Sequence, residues 1–305
     1  MKYLKWLNKN MQSLSGKKII VSGANSGIGY YASVYLSYLG AEIIFACRNK
    51  KRAEDAMQLL KNEVPSAIVT FAELDLSSAI SIKNFVTDIK ERFKTVDGLI
   101  NNAGVYFPSS PKSADGLEMT IGTNYIGTYL LTTTMLKENL FAPNATIDIV
   151  TSLTDKHSKF DATDFFNQKS ANRNVSYGRS KLYLTAFTYY LAQEIKQSGM
   201  QLKIVSSHPG VSATNILSPT KTGFSKCFAK AGSNFLKLFT HSPQKACLTS
   251  VYSFSNKIQN GDRIGPRGLF EISGLPKKSK YPKKAKRIYK HLMQKTQEIV
   301  TTLPN

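Results

Sequence analysis

The chain alternates short runs of apolar residues with longer segments in which apolar residues recur at helical spacing. The apolar runs are KIIVS (18–22), EIIFAC (42–47), AIVTFAELD (67–75), VDGLIN (96–101), TIDIV (146–150) and LKIVSS (202–207). Helices are predicted between them near 27–39, 50–62, 78–92, 115–140 and 176–198. Strands that are apolar on successive positions are typical of a parallel sheet with both faces covered. The pattern therefore predicts an α/β protein with a doubly wound parallel sheet and helices on both faces.

No internal repeat, low-complexity block or linker interrupts this alternation. A chain of 305 residues is long enough for one large domain of this kind. We predict a single domain over residues 15–275, preceded by a basic extension (1–14) and followed by a basic helical tail (276–305).

The composition limits the cellular location and the kind of site. No window supplies the roughly 18–20 successive apolar residues of a membrane-spanning helix. The first residues include lysines but no continuous apolar core, so a secretory signal is not expected. The three cysteines, Cys47, Cys227 and Cys247, are too widely spaced to suggest a disulfide framework or a zinc site. A cytoplasmic protein without a metal site is predicted.

The net charge of +21 is concentrated at the two ends of the chain. Residues 1–18 carry five lysines and no acid, and residues 276–305 carry nine Lys or Arg against one Glu. The simplest interpretation is a solvated basic surface. Weak peripheral association with an anionic membrane is a second hypothesis, in which Tyr3, Leu4, Trp6 and Leu7 would insert shallowly. No nucleic-acid-binding signature is present, so a specific nucleic-acid partner is not expected.

A glycine-rich turn follows the first predicted strand. Gly23, Gly27 and Gly29 stand at the junction between this strand and the next helix. Glycines there allow a tight turn and a close approach of the backbone to a pyrophosphate, which the helix N-terminus also attracts. The turn is also compatible with a purely structural role. Its place in an alternating chain favours a Rossmann-type nucleotide site.

The end of the second strand indicates which dinucleotide would bind. A carboxylate at this position binds the ribose 2′-hydroxyl, whereas an Arg accommodates a 2′-phosphate. The sequence there is ACRNKKR (46–52), with Arg48 and no acid. This favours NADP(H), although Arg48 would also suit the start of a solvated helix.

Tyr177 and Lys181 are four positions apart in a predicted helix, so they lie on one face. A lysine charge close to a phenol favours the phenolate and lowers its pKa. The pair therefore has the composition of a proton-transfer device, although two unrelated surface side chains would have the same spacing.

Several motifs in a fixed order resemble the short-chain dehydrogenase/reductase family over about residues 14–275. They are SGANSGIG (22–29), Asp75–Leu76, NNAG (101–104), Ser152, Tyr177 with Lys181, and HPGVSAT (208–214). Ser22 replaces the usual Thr and keeps its hydroxyl. The separation of Ser152 and Tyr177 and the segment GPRGLFEISGLPKKS (265–279) resemble the retinol-dehydrogenase-like and WW-domain-oxidoreductase-like branch. That branch acts on lipophilic carbonyls and alcohols.

The resemblance implies a role for each catalytic residue. Tyr177 would be the general acid or base, and Lys181 would lower its pKa and hold the nicotinamide ribose. Ser152 would orient the substrate oxygen, and Asn124 would link Lys181 to solvent through a water. Alternatively, Ser152 would simply end a strand, and Asn124 would satisfy backbone hydrogen bonds of a helix. His157 and His208 are expected to be structural or solvent-facing.

The resemblance also implies a set of cofactor contacts and a substrate cap. The cap is expected near 211–260, where the apolar stripe of 223–241 would be a pocket wall or ordinary core. The expected contacts are Ser22, Gly23, Asn25, Ser26, Gly27, Ile28, Gly29, Arg48, Asn49, Asp75, Leu76, Asn102, Ala103, Gly104, Tyr177, Lys181, Pro209, Gly210 and Thr214.

The sequence thus predicts an NADP(H)-dependent oxidoreductase with a small-molecule carbonyl or alcohol as substrate. Family members are often dimers or tetramers, so a homo-oligomer is compatible with the resemblance. The alternatives are a catalytically silent NADP(H)-binding regulator and a peripheral membrane-binding protein.

Overall fold

The strands predicted from the sequence meet in one sheet. The computed structural model describes residues 1–107, 111–170, 172–210 and 242–303. Within these ranges the strands are β1 (Lys18–Ser22), β2 (Glu42–Cys47), β3 (Val69–Glu73), β4 (Val96–Asn101), β5 (Phe141–Val150), β6 (Leu202–Ser207), β7 (Arg263–Pro266) and β8 (Pro276–Ser279). Their spatial order is β3-β2-β1-β4-β5-β6-β7-β8. Neighbouring strands from β3 to β7 are parallel, and β8 joins β7 in the antiparallel direction.

Helices connect the strands and cover the sheet. They are α1 (Leu4–Asn10), α2 (Gly27–Tyr38), α3 (Lys50–Glu63), α4 (Ala79–Phe93), α5 (Met119–Ile121), α6 (Thr128–Lys137), α7 (Arg173–Ser198), α8 (Pro243–Ala246), α9 (Leu248–Tyr252) and α10 (Lys283–Val300). A π-helical segment, Gly122–Gly127, lies between α5 and α6, and a 3-10 turn, Leu153–Lys156, follows β5.

The two faces of the sheet bury separate apolar cores. Ile20 packs into the core that includes side chains of α4, α6 and α7, whereas Ile19 and Val21 pack into the core with α2 and α3. Successive residues of a strand point to opposite faces, so apolar residues are required at every position. The predicted fold class, a doubly wound Rossmann-type sheet, is therefore confirmed.

Both basic ends of the chain pack against the domain. In α1, Leu7 is fully buried and the Trp6 ring lies 5.7 Å from that of Tyr252. Helix α10 packs on α7 through the other core, where Leu292 is fully buried. The two basic ends consequently lie on opposite faces of the sheet.

Three features differ from the sequence prediction. The helix expected over 115–140 is divided by the π-helical segment, and its first residues are not helical. The boundary expected after residue 275 falls between β7 and β8, so the predicted tail begins as a strand of the sheet. Residues 242–260 were expected to belong to the cap, but α8 and α9 place Cys247, Leu248 and Val251 in the core.

Among the residues with a described structure, no helix is both long enough and apolar enough to cross a membrane. The same ranges contain no cluster of three His, Cys, Asp or Glu side chains arranged to hold a metal ion.

Candidate active site

The glycine-rich turn lies where the strand order of the sheet reverses. β1 and β4 are neighbours there, and the chain leaves them on opposite sides. Ligands of doubly wound sheets bind at this point, beyond the carboxyl ends of the strands. Gly23 and Gly27 have φ values of +67° and +59°, a conformation that favours glycine. A Cβ on Gly29 would clash with the carbonyl oxygen of Gly23.

A cavity of about 290 Å³ opens beside this turn, at the start of α2. It brings together many of the predicted cofactor contacts: Gly23, Asn25, Ser26, Gly27, Ile28, Arg48, Asp75, Leu76, Asn102, Ala103 and Gly104. Ser26, which precedes α2, makes no side-chain capping bond, so it leaves the first N–H groups of the helix to a ligand. These residues fit the pyrophosphate and adenosine parts of a dinucleotide.

Other predicted contacts support the cavity without lining it. The Ser22 hydroxyl donates to the Ile100 carbonyl at 3.2 Å and accepts from the N–H groups of Asn102 and Ala103 at 3.0 Å. It therefore holds the end of β1 against the NNAG turn. The Asn49 side chain caps α3 by accepting from the Arg52 N–H at 2.9 Å. Thr214 and residues 223–241 lie outside the described residues.

Arg48 stands at the outer end of the cavity. Its side chain is 71% exposed, and Nη1 lies 3.5 Å from Oδ2 of Asp75. The other Asp75 oxygen accepts from the Ser77 N–H and hydroxyl at 2.9 and 2.6 Å. A guanidinium thus borders the cavity just beyond the end of β2, beside the carboxylate of Asp75, which follows β3.

Tyr177 and Lys181 lie one turn apart on α7, beside the end of β5. The Lys181 Nζ lies 5.7 Å from the centroid of the Tyr177 ring and donates to the Val150 carbonyl at 2.9 Å. Ser152, two residues beyond Val150, lies beside the Tyr177 side chain, close enough to act on the pKa of its phenol. The fold therefore brings together the predicted serine, tyrosine and lysine from two separate elements.

Burial dominates the ionisation of this pair. The pKa of Tyr177 is raised to about 12, chiefly by burial, while the Ser152 contact acts to lower it and Tyr106 to raise it. Burial also lowers the pKa of Lys181 to about 8, against the opposing attraction of Asp155. The spacing of Tyr177 and Lys181 in the sequence predicts a lowered Tyr177 pKa. The structure shows the opposite shift, because desolvation outweighs the other contributions.

Asn124 lies in the π-helical segment and is fully buried. Its Oδ1 accepts from the Val105 N–H at 2.7 Å, and its Nδ2 donates to the Val105 carbonyl at 3.0 Å and the Ser180 hydroxyl at 3.1 Å. A Cβ on Gly104 would lie 3.3 Å from Asn124 Oδ1 and 3.7 Å from Lys181 Nζ. Since Gly104 also lines the cavity, the catalytic candidates meet the cavity at this glycine.

Several residues of the site carry no sequence motif. The Tyr106 ring packs edge-on against Tyr177, with centroids 5.5 Å apart, and its hydroxyl donates to the Asn174 side chain. Phe107, Met119 and Thr123 line the cavity. Only their position in the sequence could have identified these residues, because they follow the NNAG turn or precede Asn124 by at most five residues.

The HPG segment is tied to the turn after β7. His208 is fully buried, and its Nε2 lies 2.9 Å from Oε2 of Glu271, which also accepts from Lys156 at 3.0 Å. The hydrogen bond with His208 is the main cause that lowers the pKa of Glu271 to about 2. Gly210, which follows Pro209, has a φ of +75°, and a Cβ there would clash with the Ile272 carbonyl. His208 is therefore a buried structural contact.

Comparison with known proteins shows one consistent relationship. The family model described as short chain dehydrogenase matches residues 17–223. Retinol dehydrogenase 13 of Homo sapiens is 34% identical over 242 residues, 79% of this chain and 72% of that protein. Retinol dehydrogenase 14 of Mus musculus is 33% identical over 213 residues, 67% and 63% of the two chains. The WW domain-containing oxidoreductase of Drosophila melanogaster is 33% identical over 249 residues, 79% and 59% of the two chains.

Retinol dehydrogenase 14 and the WW domain-containing oxidoreductase are thus matched over less than two thirds of their own length. Among solved structures, an uncharacterised protein from Mycobacterium paratuberculosis superposes with a TM-score of 0.77 at 24% identity. The superposition covers 97% of this chain and 98% of that one. A short chain dehydrogenase from Salmonella enterica gives a TM-score of 0.62 at 18% identity, over 82% and 96% of the two chains. At these identities the structural matches support the fold.

Proposed function

The chain belongs to the short-chain dehydrogenase/reductase family, in its retinol-dehydrogenase-like branch, and we propose that it transfers hydride between NADP(H) and a lipophilic carbonyl or alcohol. The observation that carries the proposal is the position of Gly104. This glycine lines the dinucleotide cavity and also lies beside Asn124 and Lys181. A nicotinamide that extends from the cavity past Gly104 would therefore reach the tyrosine, lysine and serine.

In this proposal Tyr177 is the proton donor for reduction of a carbonyl. NADP(H), when bound, supplies or accepts the hydride. Because the pKa of Tyr177 is about 12, the phenol keeps its proton at neutral pH and can deliver it to the substrate oxygen. Ser152, which lies beside Tyr177, orients the same oxygen and stabilises the charge that develops on it.

Lys181 and Asn124 prepare the site. With a pKa of about 8, Lys181 is largely protonated at neutral pH and carries a positive charge beside Tyr177. Its ammonium group would also hold the hydroxyls of the nicotinamide ribose. Asn124 fixes the NNAG turn to α7 through Val105 and Ser180. It therefore holds the cofactor cavity in a fixed position relative to the helix that carries Tyr177.

The preference for NADP(H) rests on Arg48. The Arg48 guanidinium borders the cavity and is free to turn towards a phosphate, because its contact with Asp75 is long and exposed. The lipophilic substrate class rests on the branch, since the relatives include proteins named retinol dehydrogenases.

A screen would test the proposed activity. Purified protein is incubated with NADPH and a panel of aliphatic, aromatic and polyene aldehydes and ketones, and with NADP and the matching alcohols. Consumption or formation of reduced nicotinamide is followed by absorbance. Turnover with at least one lipophilic pair is expected. NADPH binding without any turnover would instead favour the catalytically silent regulator.

A second observation favours peripheral association with an anionic membrane. Six lysines line a groove between the Lys156 turn, β8 and the start of α10, and Glu271 is the acid among its lining residues. This lysine groove comprises Lys156, Lys277, Lys278, Lys280, Lys283 and Lys284. The turn that carries Glu271 also presents Leu269 and Phe270, which are 78% and 75% exposed. The combination suits phospholipid head groups and a shallow apolar anchor.

The N-terminus does not take part in this proposed surface. The sequence suggested that Trp6 and Leu7 would insert into a membrane, but Leu7 is fully buried and Trp6 packs against Tyr252. Cytoplasmic location and homo-oligomer formation stay predictions.

A further inference from the structure

Asp155 is a fully buried carboxylate on the turn that begins at Ser152. Its Oδ2 lies 2.8 Å from Nη1 of Arg263, which is also fully buried. The same oxygen accepts from the Thr185 hydroxyl at 2.7 Å. No motif in the sequence identifies Asp155, and the family roles assigned above do not include it.

These contacts join three elements at the back of the candidate active site. Asp155 lies in the 3-10 turn that Ser152 caps, and its own N–H is bonded to the Ser152 carbonyl at 3.2 Å. Thr185 is on α7, one turn beyond Lys181, and its Oγ1 lies 2.9 Å from the Lys181 carbonyl. Arg263 is the first residue of β7. The carboxylate thus links the Ser152 turn directly to the helix of the tyrosine and lysine.

Folding alone gives little reason for this arrangement. Burying an ion pair carries a desolvation cost, and a well-packed apolar pair is often as stable or more stable. The other Asp155 oxygen, Oδ1, is buried without a hydrogen-bond partner among the described residues, which adds to the cost. A charged group kept at such a position is better explained by what it does to its neighbours.

We propose that Asp155 is a positioning residue for the proposed reaction, which holds the Ser152 turn against the helix that carries Tyr177 and Lys181. The inference rests on the proposed function. Displacement of a catalytic group by about 1 Å can lower the rate by about 10²-fold. A small movement of the Ser152 turn relative to α7 is therefore enough to affect catalysis.

The charge of Asp155 also acts on Lys181. Burial lowers the pKa of Lys181 to about 8, and the attraction of Asp155 opposes this shift. Within the described ranges, the ionisable groups that face Asp155 are Arg263, Lys181 and His208. Arg263 offsets part of the carboxylate charge, so the effect on Lys181 is expected to be moderate.

Two threonines on α7 provide a matched test of the positioning role. Thr185 and Thr188 are both fully buried. The hydroxyl of each lies close to the carbonyl four residues earlier, Thr188 to Leu184 at 2.8 Å and Thr185 to Lys181 at 2.9 Å. Of the two, the structure joins Thr185 to Asp155. Thr185→Val should lower kcat about 10-fold on a substrate that the wild type turns over, with the KM for NADPH little changed. Thr188→Val should keep kcat within about 2-fold.

Two aspartates provide a test of the charge. Asp155→Asn removes an anion near Lys181, so the pKa of Lys181 should fall and the alkaline decline of kcat should begin at lower pH. Asp148 is equally buried, but burial raises the pKa of its carboxyl to about 8, so it is mostly neutral at pH 7. Asp148→Asn should therefore leave kcat at neutral pH within about 2-fold of the wild type.

The outcomes separate this inference from the proposed function. Selective effects of Thr185→Val and Asp155→Asn support it, and if Asp155→Asn does not fold, the threonine pair decides. A wild type that is active, with Thr185→Val matching Thr188→Val, overturns the positioning role and leaves the proposed function intact. A wild type that binds NADPH but turns over no carbonyl or alcohol overturns both.

Discussion

At the scale of single residues, the sequence predicts which groups meet but not how they ionise. The motif spacing identifies Ser152, Tyr177 and Lys181, and the structure brings them together. The direction of the Tyr177 pKa shift depends on burial by residues far apart in sequence. Tyr106 and Asp155 were missed for the same reason, because their contacts arise from tertiary structure and no local pattern marks them.

The choice of cofactor can be tested at Arg48. Arg48→Ala should weaken NADPH binding by roughly 10-fold while barely changing NADH binding. This is the low end for a charge-assisted hydrogen bond, because the side chain is 71% exposed. Fluorescence titration with both cofactors measures the effect. Lys51→Ala is the control, since Lys51 is an exposed cation on α3 that pairs with Asp55 and does not line the cavity.

Equal losses for NADPH and NADH in Arg48→Ala, or a wild type that prefers NADH, would show that Arg48 does not recognise a 2′-phosphate.

The buried carboxyl of Asp148 predicts a pH-dependent stability. Burial raises its folded pKa to about 8, against about 3.9 in an unfolded chain. Because the folded value is the higher one, its contribution to stability is complete below about pH 4 and is lost as the pH rises towards 8. Asp148→Asn removes this titration. The melting temperature of the variant relative to wild type should therefore increase between about pH 5 and about pH 8.

Scanning calorimetry at several pH values makes the comparison, with the exposed Asp88→Asn as control. A melting-temperature difference for Asp148→Asn that does not change with pH would contradict the raised pKa.

At the scale of elements, the apolar pattern predicts the central strands well. β1, β2, β4 and β6 begin and end where the sequence indicated, because each is a continuous apolar or β-branched run in a covered parallel sheet. β7 and β8 were not predicted, since each has only four residues and contains a proline. The break in the predicted helix 115–140 was also missed. A π-helical segment arises from tertiary contacts, and such segments are frequent at functional sites.

The π-helical segment can be tested through Asn124. Asn124→Ala would leave the partly buried N–H and carbonyl of Val105 without their side-chain partner. The expected loss of unfolding free energy is about 1–3 kcal/mol, together with reduced turnover. Thermal unfolding and kinetics of the same preparation measure both. Asn62→Ala, which removes an exposed amide of α3 bonded to Gln58, should change neither.

An Asn124→Ala variant with wild-type stability and turnover would mean that the segment is not what connects the NNAG turn to α7.

At the scale of the whole molecule, the basic residues at the two ends of the sequence do not form a pair of free tails. The sequence shows two basic ends, whereas the fold separates them by packing α1 and α10 on opposite faces of the sheet. The groove that concentrates lysines is formed jointly by β8, the start of α10 and the Lys156 turn. Only a three-dimensional structure can reveal such a combination.

The proposed membrane surface predicts an asymmetric response to charge reversal. The variant Lys277→Glu/Lys280→Glu/Lys283→Glu should lose co-sedimentation with anionic phospholipid vesicles. Each lysine contributes about 1 kcal/mol near such a surface, so the affinity should fall by roughly 10²-fold or more. The variant Lys2→Glu/Lys5→Glu/Lys9→Glu makes the same charge change at exposed positions in and just before α1 and should retain most of the binding.

Binding should also weaken above roughly 0.5 M salt, where screening is short-ranged. Protein that stays in the supernatant at low salt, or equal losses in the two triple variants, would show that the lysine groove is a solvated surface.

The role of Tyr177 as proton donor is the central claim, and removal of its hydroxyl tests it most directly. On a substrate found in the screen, Tyr177→Phe is predicted to lower kcat by at least about 10²-fold while NADPH still binds. Tyr183→Phe is the matched control, because it removes the hydroxyl of another tyrosine of α7, which is buried and donates to the Phe165 carbonyl. Near-normal turnover by Tyr177→Phe would contradict the assignment of Tyr177 as the proton donor.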